Sequence, residues 1–143
     1  NSYDIKLSVE IQAEGAEQAD VISQTNFKYM YWSMSQQLTH HTIAGAGCNV
    51  QVGDLMGSGT ISGPTPDSYG SLLEITWNTT KPLTLSNGEQ RSFMQDGDTL
   101  TMKGYCEKDG LRIGFGEVSG TVLPAVEFDF TTDAAEEKLS ETV

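Results

Sequence analysis

Three places in this sequence of 143 residues carry side chains able to do chemistry. The first is the adjacent pair His40-His41, the only two histidines of the chain. Imidazole moves protons near neutral pH, yet neither histidine sits in a nucleophile or metal-ligand spacing. Both fall where a helix should end, and a helix C-terminus favours such side chains through the macrodipole, so the pair is read as structural. The second is Glu74, within Leu72-Leu73-Glu74-Ile75-Thr76-Trp77. Read as a strand, this segment puts Leu73, Ile75 and Trp77 on one face and Leu72, Glu74 and Thr76 on the other. Acids are uncommon inside such strands. Glu74 either points at solvent or faces a cleft, where its surroundings can suit it to acid–base work or to orienting a histidine. The third is the loop Ser58-Gly59-Thr60-Ile61-Ser62-Gly63. Its glycines let backbone N–H groups approach an anion closely, and its hydroxyls add donors. Plain turn chemistry is the competing reading, and with no phosphate-loop lysine behind it nucleotide binding is not expected.

These groups need a scaffold. Apolar and polar residues nearly alternate from Tyr3 to Ile11, the period of a strand. Ala13 to Glu17 reads as a turn and Val21-Ile22-Ser23 as a second short strand. Asn26 reads as the N-cap of a helix running to about His40, with Phe27, Met30, Tyr31, Met34 and Leu38 as a core-packing stripe. Val50 to Leu55 reads as the approach to a strand. Asn87-Gly88 marks a hairpin between Leu83-Thr84-Leu85 and Arg91-Ser92-Phe93. Asp96-Gly97-Asp98 turns into a strand over Thr99 to Tyr105, and Lys108-Asp109-Gly110 turns into another over Leu111 to Phe115. The pattern predicts a mainly β (α+β) domain, a mixed sandwich or roll with one helix near residues 26–40 packed against it.

Composition bounds the function class. The length fits one domain, and a chain of this size buries roughly 68–70% of its unfolded surface, enough for a sizeable core. The net charge is −12, with eight Lys and Arg spread along the chain. That argues against nucleic acid and against anionic membrane surfaces. Beyond Pro124 six acids face one lysine, which accounts for five of the twelve net negative charges. Residues 126–143 are therefore expected to be an acidic, disordered tail behind a folded unit at 1–125. Cys48 and Cys106 have no metal spacing and read as free thiols of a reducing, cytoplasmic setting. Asn78-Thr79-Thr80 reads as a chance glycosylation match. No apolar run approaches the ~20 residues of a membrane span. The first residue is Asn1, which reads as a sign of a fragment or processed product.

Several segments together resemble the fumarylacetoacetase family. They are Asn26-Phe27-Lys28-Tyr29-Met30-Tyr31-Trp32 with Gln36 to His41, Gly53-Asp54-Leu55 with Ser58 to Pro64, and Gly70-Ser71-Leu72-Leu73-Glu74. Asp96-Gly97-Asp98, Gly104-Tyr105-Cys106 and Arg112 to Gly116 complete the match. The resemblance runs from about Tyr3 to about Ala125. The wider superfamily carries a Gly-Asp…Gly-Thr-Pro loop, whereas here Ile61-Ser62-Gly63-Pro64 follows Thr60. The resemblance implies hydrolysis of the carbon–carbon bond of 4-fumarylacetoacetate to fumarate and acetoacetate, in tyrosine and phenylalanine breakdown. It also implies a homodimer, a calcium ion that polarises the diketone and a second, magnesium site. On this pattern Glu74 is the acid that pairs with a catalytic histidine, while Thr60, with Gly59 beside it, contacts substrate. The family's catalytic histidine, metal ligands and most substrate ligands lie upstream of the matched part. No metal ligand is therefore assigned on this chain, and an incomplete, inactive portion of the active site is expected. The alternatives are a β module used in dimerisation or partner binding, and an acylpyruvase-like hydrolase.

Overall fold

The computed structural model describes residues 3–45 and 47–126. The expected acidic tail falls almost wholly outside the described residues. The chain runs through β1 (Lys6–Gln12), β2 (Asp20–Asn26), α1 (Met34–Ile43), α2 (Leu72–Ile75), β3 (Leu83–Thr84), β4 (Gln90–Arg91), β5 (Thr99–Lys108) and β6 (Leu111–Thr121). Four strands form one antiparallel sheet in the order β2-β1-β5-β6, and β3 and β4 form a separate ribbon. The mainly β expectation holds, and no barrel closes among the described strands.

Turn chemistry sets the strand pairing. Asp109 and Gly110 have φ of +52° and +79° and join β5 to β6 directly, with Lys108 opposite Leu111. Two positive φ values are what a two-residue hairpin with the right twist requires. The Asn87-Gly88 turn is closed by the Leu85 N–H donating to Glu89 O at 2.8 Å. The Asp20 carboxylate accepts from Ser86 N–H at 3.1 Å and from Ser86 Oγ at 3.0 Å, anchoring the ribbon to β2.

Two helical expectations need correction. Asn26 does cap a helical turn, but only the 3-10 turn Phe27–Tyr29, through Oδ1 accepting from Lys28 N–H. The chain then leaves helical geometry at Met30, whose ψ is 123°. The true helix, α1, starts at Ser33. Its hydroxyl accepts from Gln36 N–H while the Gln36 side chain accepts from Ser33 N–H, a reciprocal capping box. α1 buries no residue, so the stripe of Tyr31, Met34 and Leu38 is exposed rather than core. The segment Leu72 to Trp77 is not a strand either: Leu72–Ile75 is a short helix capped by the Ser71 hydroxyl. Ser71-Leu72-Leu73-Glu74 is itself a Ser-x-x-Glu capping signature, and that local preference outweighs the strand-forming apolar residues. Val50 to Leu55 forms a turn, with Gln51 N–H donating to Asp54 Oδ2, and no strand.

Among the described residues the core is smaller than the chain length predicts: Ile11, Ala13 and Leu85 are the buried apolar residues there, with Ala16, Ile22 and Met94 packed against them. This cluster sits where the ends of β1 and β2 meet the ribbon. Large apolar side chains such as Leu55, Ile113, Phe115 and Val118 remain exposed among the described residues. Among the described residues no helix is long and apolar enough to cross a membrane.

Candidate active site

Two irregular segments run side by side and build the site. Gly63 N–H donates to Ser68 O at 2.8 Å, and Gly70 N–H donates to Ser62 Oγ at 3.0 Å. Gly70 lies so close to the loop that a Cβ there would sit 2.5 Å from Ile61 O and 2.8 Å from Thr60 Cγ2. Gly63 is equally tight, with Ser68 Oγ 2.5 Å from an added Cβ. The packed segment is held to the sheet by Ser23 of β2, which donates to Tyr69 O at 2.7 Å.

This close approach brings the loop to α2. Glu74 sits in the first turn of α2, and its carboxylate is clasped by two hydroxyls. Ser62 Oγ donates to the pair of oxygens, 2.9 Å from Oε1 and 2.8 Å from Oε2. Ser71 Oγ donates to Oε2 at 2.7 Å. α2 is fixed from behind by Thr76, which is fully buried. Its hydroxyl reaches Leu72 O at 2.8 Å and Ser92 O at 3.3 Å, and it accepts from Thr79 N–H. The turn after α2 places Trp77, Asn78 and Thr79 at φ of +49°, +51° and +73°. Three successive residues with side chains in the left-handed region are costly, so the surroundings of α2 impose this shape.

An open cleft of about 850 Å³ faces this network. Thr60, Ser62, Ser71 and Glu74 line it together with Trp32, His40 and His41. The cleft therefore gathers all three sequence candidates except Gly59, which is not among its lining residues. Gly59 turns the loop at φ +75°, with open space where a Cβ would lie. His40 and His41 occupy the last turn of α1, where the sequence places them. The His40 ring meets Trp32 edge-on, 4.6 Å between centroids at 87°. No hydrogen bond joins either imidazole to Glu74 among the described residues. Of the two hydroxyls bonded to Glu74, Ser62 lies in the loop that turn chemistry also explains, and Ser71 is not singled out in the sequence. Ser71 is recoverable from its capping spacing, while Ser62 depends on a contact across twelve positions.

A divalent cation such as calcium or magnesium needs several oxygen ligands around one point. The described residues hold no group of three or more His, Cys, Asp or Glu side chains arranged that way. The Glu74 oxygens are taken up by hydroxyl donors. The residues here do not fit such an ion by themselves, and no chemical step is derived through one. Cys48 and Cys106 are unbridged, as their spacing suggests.

The chain is similar in sequence to known proteins. The chain is 55% identical over 125 residues to the fumarylacetoacetase of Homo sapiens, covering 87% of this chain and 29% of that protein. It is 54% identical over 127 residues to the fumarylacetoacetase of Bos taurus, with 89% and 30% covered. Against the fumarylacetoacetase of Arabidopsis thaliana it is 50% identical over 124 residues, with 87% and 29% covered. The chain thus spans under a third of the length of the curated relatives it matches. A sequence model described as fumarylacetoacetate (FAA) hydrolase C-terminal matches residues 2–123, and the chain belongs to the fumarylacetoacetate hydrolase family.

Proposed function

We propose that the protein carrying this chain hydrolyses the carbon–carbon bond of 4-fumarylacetoacetate, releasing fumarate and acetoacetate, and that this chain supplies one wall of the active site. The observation that carries the reading is the meeting of Thr60 and Glu74 on a single cleft. Attack on a ketone carbonyl requires a water from which a base removes a proton. A carboxylate held at fixed orientation can set the tautomer of a neutral histidine and stabilise the imidazolium that forms. Glu74 takes that role, paired with a histidine from another part of the complete protein. The Thr60 hydroxyl, beside Gly59, binds one end of the substrate.

The family brings further parts to the reading. They are a homodimer, a cytoplasmic setting and calcium and magnesium ions whose ligands belong to another part of the complete protein. The test is release of fumarate and acetoacetate by the complete protein, with acylpyruvates as competing substrates. Cleavage of fumarylacetoacetate in preference to acylpyruvates supports the reading. A protein that binds fumarylacetoacetate without cleaving it overturns it.

A further inference from the structure

We propose that Ser62 is a positioning residue for Glu74, setting the direction of its carboxylate relative to Thr60. The inference deepens the proposed role of Glu74 and rests on it. A serine hydroxyl has one proton to give and two lone pairs to accept with. The Gly70 N–H, 3.0 Å away, occupies the accepting side of Ser62 Oγ. The proton is thereby left for the carboxylate, whose oxygens lie at 2.9 and 2.8 Å.

Ser71 makes a comparable bond to Oε2, but its reach is different. Ser71 belongs to the same helical turn as Glu74 and moves with it. Ser62 is twelve positions away and only two from Thr60. It is the hydroxyl that ties the carboxylate to the loop bearing the substrate-binding group. Ser71 alone leaves the carboxylate anchored to its own helix, whereas Ser62 bonds it directly to the loop. A misplacement of about 1 Å at a reacting centre can cost on the order of 10²-fold in rate, so a partial loss of orientation here should cost roughly tenfold.

The test uses the complete protein and steady-state hydrolysis of fumarylacetoacetate by Ser62→Ala, Ser62→Cys, Ser62→Thr, Glu74→Gln and the Ser62→Ala/Glu74→Gln pair. Ser62→Ala and Ser62→Cys should each lower kcat roughly tenfold with KM within about threefold, and Ser62→Thr should recover most of the loss. In the Glu74→Gln background Ser62→Ala should cost less than about twofold, because residues acting as one unit are not additive. Ser62→Cys keeps the size of the side chain and reads out the same loss if Ser62→Ala fails to fold. A Ser62→Ala or Ser62→Cys protein at the parent kcat overturns the inference. So does a loss that multiplies fully onto Glu74→Gln, which would mean that Ser62 acts by another route while the role of Glu74 stands. If Glu74→Gln itself runs at the parent rate, the role of Glu74 and that of Ser62 fall together.

Discussion

Arg91 grips Asp98 through two parallel hydrogen bonds, Nε to Oδ2 at 2.8 Å and Nη2 to Oδ1 at 3.0 Å. The pair is out of water: the arginine side chain is 6% exposed and the aspartate 0%. Gln95 N–H adds a third donor to Asp98 at 2.9 Å, and Glu89 Oε2 lies 2.6 Å from the same Arg91 Nη2 that donates to Asp98. This junction locks the ribbon to the start of β5. Ser92, beside Arg91, offers the carbonyl that receives the Thr76 hydroxyl, so the junction also supports α2. Removing Asp98 leaves Arg91 Nε without its partner and the buried guanidinium offset by the half-exposed Glu89 alone. Asp98→Ala is expected to cost about 3–5 kcal/mol, read by urea unfolding of the complete protein.

The same pair predicts a dependence on pH. The hydrogen bond from Arg91 holds the Asp98 carboxyl below its ordinary range, against the opposing effect of burial, and the Gln95 N–H lowers it further. In the unfolded chain Asp98 takes up a proton near pH ~3.9, whereas in the folded chain it does so only at lower pH. Its contribution to stability is therefore complete above the unfolded value and is lost as pH falls through the folded one. Unfolding midpoints should decline below about pH 4, and Asp98→Asn should flatten that decline. An identical acid profile in the two proteins would contradict the assignment.

Glu74 and Thr60 should fail in different ways. On the proposed function, Glu74→Gln keeps the shape and removes the charge proposed to orient a base, and kcat should fall by on the order of 10²–10⁴-fold. Thr60→Val removes the hydroxyl proposed to bond substrate, and KM should rise by roughly tenfold, the equivalent of about 1–1.5 kcal/mol. Steady-state kinetics on fumarylacetoacetate separates the two.

Gly70→Ala tests the close approach of the two segments. The new methyl would meet backbone at Ile61 O, 2.5 Å away, which cannot rotate aside. The loop bearing Thr60 must retreat from α2. We expect a loss of about 1–3 kcal/mol in stability, together with a fall in kcat/KM beyond that of Thr60→Val. Unfolding and turnover measured on one preparation check this.

Thr79→Gly should have the opposite sign. Thr79 is β-branched and held at φ +73°, where a Cβ is unfavourable by roughly 1–2 kcal/mol. Glycine removes that strain at an entropic cost of about 0.5–1 kcal/mol. A net gain of up to about 1.5 kcal/mol should appear as a raised Tm, with the hydroxyl of Thr76 still in place to accept from residue 79.

Local signals in the sequence were enough for some elements. Tyr3 to Ile11 alternates and Asn87-Gly88 and Asp109-Gly110 demand particular φ values, so β1, the ribbon and the β5–β6 hairpin could be read from neighbours alone. The family match was legible for the same reason, because its motifs are short and contiguous. Ser71-Leu72-Leu73-Glu74 shows where local reading divides: its apolar residues suggest a strand, while its capping spacing makes a helix. The helix start at Ser33 was missed in the same way, since Asn26 offers an equally good cap for only a single turn.

Tertiary structure decided what depends on distant partners. Arg91 and Asp98 look like ordinary surface charges until the ribbon folds against β5 and removes both from water. The meeting of Thr60 with Glu74 requires Gly70 to have no Cβ and Ser62 to find Gly70 and Glu74 at once. The sequence determined that Glu74 and Thr60 were the residues worth watching, because residue type and motif are local properties. That they face one cleft, with the carboxylate held by Ser62, was decided by packing, because burial and orientation belong to the assembled chain.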